Sequence, residues 1–122
     1  MGASPQTTLL FPGHGSQTPD MRETVERHRP DLLEQALREV GDDLFERAGD
    51  GTRWAQPAIF CAALAGWKQL RASTTPDLMA GHSLGEIAAL VAAQALSAED
   101  GLRLVAARGR LELDGTMLVQ PP

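Results

Sequence analysis

The chain has 122 residues, of which 43% are hydrophobic and 22% charged, with a formal net charge of −5, one cysteine and no tyrosine. That length supports one core and one modest domain, and the apolar share excludes a chain disordered throughout. A single cysteine excludes an internal disulfide framework or a Cys-rich zinc site, the acidic balance argues against nucleic-acid partners, and no apolar run approaches the ~20 residues of a membrane helix.

Met1 to Thr8 carries no basic segment and no long apolar stretch, so the sequence predicts no secretory signal, no membrane partner and a cytoplasmic location. Thr7-Thr8-Leu9-Leu10-Phe11 is a short β-branched and apolar run stopped by Pro12-Gly13, which predicts a buried strand. The polar, glycine-rich Gly13-His14-Gly15-Ser16-Gln17 that follows predicts a loop. It lacks the third glycine of a dinucleotide-binding fingerprint, because position 18 is Thr. Glu23 to Arg29 is a polar, helix-like stretch in which His28 reads as a solvated surface residue. Asp31-Leu32-Leu33-Glu34 has the spacing of a capping box, with Asp31 as N-cap of a helix carrying Leu33, Ala36, Leu37 and Val40 and ending at Gly41. Asp43 to Ala48 predicts a further short helix closed by Gly49.

Pro57 fits the first turn of a third helix, with Ile59, Ala63, Trp67 and Leu70 along one face, broken at Thr74 to Pro76. Cys61 reads as a small buried hydrophobe, and Trp54 and Trp67 as core or interface residues. Leu78-Met79-Ala80 predicts a second strand, and a helical repeat of apolar positions runs from Leu84 through Ile87, Ala88 and Val91 to Ala95. Ser97 starts one more helix, with Leu102, Val105, Ala106, Gly109 and Leu113 inward, and Thr116 to Val119 predicts another strand. The order β–α–α–α–β–α–α–β is that of an α/β domain on a parallel sheet, although three strands are few for a sheet that needs cover on both faces.

Gly81-His82-Ser83-Leu84-Gly85 matches G-x-S-x-G between an apolar strand and a helix, the setting of a nucleophile elbow. A serine there needs strained backbone angles and glycine neighbours two residues away, and gains unpaired helix N–H groups that favour developing negative charge. The Leu84 N–H is a natural oxyanion donor. Ser83 also needs a base. His82 is a poor one, because consecutive residues on such a turn point apart; His28 reads as solvated, and His14 is the remaining candidate within the chain. No histidine follows Ser83. No paired carboxylate and histidine set suggests a metal site.

Taken together, Leu9-Leu10-Phe11-Pro12-Gly13-His14-Gly15-Ser16-Gln17, Gln56-Pro57-Ala58, Gly81-His82-Ser83-Leu84-Gly85-Glu86 and Arg108-Gly109-Arg110 resemble the malonyl-CoA:acyl carrier protein transacylases and the acyltransferase domains of polyketide and fatty-acid synthases. The resemblance implies a partial α/β-hydrolase-like parallel sheet with flanking helices. Residues 1–115 would be the N-terminal part of that domain, and 116–122 the start of a ferredoxin-like subdomain. It implies a ping-pong transfer in which Ser83 takes the acyl group from malonyl-CoA, the substrate, with no bound cofactor, and passes it to the phosphopantetheine thiol of an acyl carrier protein. The backbone N–H groups of Leu84 and His14 would form the oxyanion hole. Arg108, Gln56 and His82 would bind substrate, with Arg108 gripping the free malonyl carboxylate. His14 stands where the family usually has Gln, and the family's catalytic histidine lies downstream of residue 122. The isolated chain is therefore expected to turn over poorly. A non-catalytic fragment that binds a partner, and a serine hydrolase or thioesterase using His14, are the competing readings.

Overall fold

A computed structural model of the protein describes residues 7–13, 18, 20–41 and 43–111. These residues form an α/β unit of two parallel strands and five helices. Strand β1 (Thr8–Phe11) pairs in parallel with β2 (Leu78–Gly81), Thr8 opposite Leu78 and Phe11 opposite Gly81. Between them run α1 (Met21–His28), α2 (Pro30–Val40) and α3 (Thr52–Leu70), and after β2 come α4 (Gly85–Ala92) and α5 (Ala98–Leu111). No helix among the described residues is long and apolar enough to cross a membrane.

Both strands fall where the apolar runs place them, and the parallel pairing follows the expected α/β order. The expected strand at Thr116 to Val119, the inward position Leu113 and the loop residue His14 lie outside the described residues. The inner face expected of α5 is realised: Leu102, Val105, Ala106 and Gly109 are buried, and the Ser97 hydroxyl caps the helix by accepting from the Asp100 N–H at 3.1 Å.

Three local expectations are corrected. Asp31 does not cap α2. Proline at the first helical position keeps Arg29 out of helical geometry, so Arg29 becomes the N-cap residue. The Asp31 carboxylate instead accepts two bonds from the Arg29 guanidinium, at 3.0 and 2.9 Å, which hold its pKa below the ordinary value. The segment 44–49 winds as turns, not as a helix. One Asp43 oxygen accepts from the Phe45 N–H at 3.1 Å and the other from Arg22 Nε at 3.1 Å, while Leu44 is fully buried.

The third correction concerns α3, which starts at Thr52 and carries Pro57 in its interior. Pro57 leaves the Arg53 carbonyl without its helical donor. The helix is not amphipathic along Ile59, Ala63, Trp67 and Leu70 as expected. Ala55 to Cys61 are buried without interruption, and Leu70 is exposed. The reason is position: α3 packs against α1, α2, α4 and α5 at once, so little of its circumference meets solvent.

Cys61, at the centre of this packing, is fully buried with its sulfur 4.0 Å from the Leu32 carbonyl oxygen. Burial pushes its thiol up to about 12. Ellman's reagent is therefore expected to leave the folded protein untouched near neutral pH and to react once urea unfolds it. The same shift has a sign for stability. The unfolded thiol ionises near its usual 9.0 while the folded one stays protonated, so stability is unaffected below that pH and falls as pH rises toward 12. Rapid reaction of the folded chain at neutral pH would contradict this packing.

Candidate active site

The site is built where β2 turns into α4. His82 to Leu84 form the turn, and Ser83 has φ of 60°, in the left-handed region that a residue with a side chain adopts only under constraint. Hydrogen bonds supply the constraint. The His82 N–H donates to the Phe11 carbonyl at 3.2 Å, tying the turn to β1, and the His82 carbonyl accepts from the Gly85 N–H at 3.0 Å. The Ser83 carbonyl accepts from the Glu86 N–H at 3.0 Å and the Leu84 carbonyl from the Ile87 N–H at 3.1 Å, which starts α4.

The flanking glycines are required by backbone approach. A Cβ on Gly81 would lie 2.0 Å from the Gly85 carbonyl group, and one on Gly85 would lie 2.3 Å from the Phe11 carbonyl oxygen. Gly13, the last described residue before the β1 loop, is pressed on the same turn: its Cβ would lie 2.6 Å from the His82 carbonyl oxygen. The start of the glycine loop and the Ser83 turn therefore meet at one end of the sheet.

Ser83 is half-buried, and its Oγ accepts a hydrogen bond from Arg108 Nη2 at 2.9 Å. Arg108 reaches it from α5, 25 residues away in sequence. The packing of α5 on α3 sets that reach. A Cβ on Gly109 would lie 2.8 Å from the Thr52 carbonyl oxygen, and the Thr52 hydroxyl donates to the Gly109 carbonyl at 3.0 Å. The bare Gly109 thus lets the end of α5 lie directly on the start of α3 and aims the neighbouring Arg108 at the turn. Gln56, one turn further along α3, is buried at 1% exposure.

The structure therefore brings Arg108 onto Ser83, while Gln56 is buried within α3. His82 is exposed on the turn, and His28 is half-buried at the end of α1. Leu84 has a fully buried side chain. Its N–H donates no hydrogen bond among the described residues, as an oxyanion donor requires. The sequence singles out Gly109 only as an inward position of the last helix and within Arg108-Gly109-Arg110, and gives no sign of Thr52. The Arg-Gly-Arg run held the only local signal, a glycine inside an otherwise helical pattern.

Residues 8–117 match the family model described as acyl transferase domain. The chain belongs to the acyl transferase domain family. It is 38% identical over 116 residues to the malonyl CoA-acyl carrier protein transacylase of Haemophilus influenzae, covering 84% of this chain and 37% of that relative. Its fold is similar to that of the Streptococcus pneumoniae malonyl transacylase, with a TM-score of 0.74, 36% identity and 88% of this chain but 39% of the other covered. It is also similar, with a TM-score of 0.71 and 34% identity over 88% of this chain and 38% of the other, to a structure of a type II polyketide synthase acyl-carrier protein in complex with its malonyl-transacylase. This acyltransferase chain thus spans less than two fifths of the Haemophilus influenzae relative's length.

Proposed function

We propose that these residues carry the acyl-serine half of malonyl transfer from malonyl-CoA to an acyl carrier protein. The hydrogen bond from Arg108 to Ser83 supports this most strongly, because it places a cation where the free carboxylate of a malonyl group on Ser83 would lie. In the first step Ser83 Oγ attacks the thioester carbonyl, a C–O bond forms, the C–S bond breaks, and coenzyme A leaves as the thiol with the serine proton. In the second, the carrier's phosphopantetheine thiol attacks the serine ester, and its proton returns to Ser83.

The Leu84 N–H and the backbone N–H of His14 are the proposed oxyanion donors. Gln56 and His82 are proposed to line the acyl and thioester paths. The base that takes the serine proton is proposed to be a histidine of the family fold beyond residue 122. In the same reading, residues 1–115 belong to the acyltransferase α/β domain and 116–122 open a ferredoxin-like subdomain. The strained turn of Ser83 and the names of the relatives support the assignment.

Incubation with malonyl-CoA followed by intact-mass analysis tests it. Slow addition of one malonyl group is expected, absent in Ser83→Ala, and slow because a serine without its base loses on the order of 10⁴–10⁶ in rate. Equal labelling of Ser83→Ala, or no labelling after prolonged incubation, would overturn the assignment.

A further inference from the structure

Helix α5 meets α3 through two glycines. A Cβ on Gly101 would lie 2.8 Å from the Phe60 ring, and one on Gly109 would lie 2.8 Å from the Thr52 carbonyl oxygen. The spacing of Gly101 and Gly109 on α5 equals that of Thr52 and Phe60 on α3, so the two helices run antiparallel in close contact along this seam. A glycine brings helices together but presents no ridge to a neighbouring groove, so packing at these points resists sliding only weakly.

A directional bond supplies the register. The Thr52 hydroxyl donates to the Gly109 carbonyl at 3.0 Å, with Gly109 buried and Thr52 half-buried. Gly109 lies in the last turn of α5, where helix carbonyls accept side-chain donors. Its neighbour in that turn is Arg108, whose Nη2 donates to Ser83 Oγ at 2.9 Å. Any shift of the carbonyl that Thr52 holds is carried to the Cα from which the guanidinium reaches.

We propose that Thr52 is a positioning residue for acyl selectivity. Its hydroxyl holds the end of α5 so that the Arg108 guanidinium meets the free carboxylate of a malonyl group on Ser83. The inference rests on the acyl-transfer reading above and adds to it a residue that acts through another. Thr52 contributes geometry and no charge, and its loss misplaces the guanidinium without removing it. The effect is therefore smaller than that of losing Arg108 itself.

Competition of malonyl-CoA with acetyl-CoA for the 122-residue chain, read by intact mass, tests it. Thr52→Val keeps the branched shape and removes the donor, and is expected to lower the malonyl-to-acetyl labelling ratio about fivefold. Thr52→Ser keeps the donor and is expected to restore the ratio. In an Arg108→Ala background Thr52→Val is expected to lower it no further, because its effect passes through the guanidinium. A Thr52→Val chain that keeps the parent's ratio while its urea midpoint falls would show a structural role only and overturn the proposal. So would a lowered ratio that Thr52→Ser does not restore, or a further fall in the Arg108→Ala background. These outcomes leave the acyl-transfer reading standing. An Arg108→Ala chain with the parent's ratio, or a parent that takes neither acyl group, would overturn both.

Discussion

Replacing Gly85 with alanine is expected to destabilise the protein by about 3 kcal/mol or more, a large share of the ~5–15 kcal/mol that holds a domain together. The added Cβ would lie 2.3 Å from the Phe11 carbonyl oxygen and 2.9 Å from that of Pro12. Both atoms belong to main chain, so no rotamer change relieves the clash. The Phe11 carbonyl also accepts the His82 N–H, so displacing β1 breaks the bond that ties the Ser83 turn to the sheet. Gly66→Ala is the contrasting case. Nothing lies within 4 Å of its added Cβ, and it sits inside α3, so it is expected to stabilise by about 0.5–1 kcal/mol. Urea unfolding of both variants checks the pair. A Gly85→Ala midpoint equal to that of the parent would show that the turn is not held by this approach.

That contrast shows what a sequence discloses and what it hides. Whereas Gly85 is enforced by the Phe11 and Pro12 carbonyls, distant in sequence, the first position of Gly81-His82-Ser83-Leu84-Gly85 is legible because its constraint is local: the strand-to-helix turn itself excludes a Cβ. Both strands and the Ser97 cap are legible for the same reason, since each rests on a few adjacent residues. The start of α2 departs from the capping box that Asp31 and Glu34 predict, although its cause is also local. Asp31 has the spacing of a cap, but Pro30 claims the first helical position and Arg29 claims the carboxylate. In α3 the failure is one of range. The unbroken burial of Ala55 to Cys61 is set by four other helices, and no periodicity within Thr52–Leu70 encodes them.

The candidate site divides along the same line. Ser83 and Leu84 could be read from the pentapeptide and its flanks. Arg108 could be singled out only by family likeness, because the contact that matters joins α5 to a turn 25 residues away. What brings them together is Gly109 against the Thr52 carbonyl, a close approach between helices that neither helix announces alone.

Arg108→Ala is expected to erase the preference for malonyl over acetyl groups, lowering the ratio of their labelling rates by about 100-fold. In the unacylated protein the guanidinium donates to Ser83 Oγ at 2.9 Å. Acylation converts that oxygen into an ester oxygen, a much poorer acceptor, so the Arg108 bond to it weakens as a malonyl carboxylate arrives within reach. The guanidinium fork then matches the carboxylate with two parallel bonds, which an acetyl group cannot accept. The selectivity so predicted rests on attraction between the guanidinium and the free carboxylate of the acyl group. Arg108→Lys keeps the charge but loses the fork, and is expected to recover only part of the ratio. Measuring a ratio by competing malonyl-CoA and acetyl-CoA in one mass-analysed reaction has a physical advantage here, since anything that slows both acylations alike cancels. A ratio unchanged in Arg108→Ala would remove the arginine from acyl recognition and leave its bond to Ser83 as a prop for the strained turn, in which case Arg108→Ala should lower the unfolding midpoint instead.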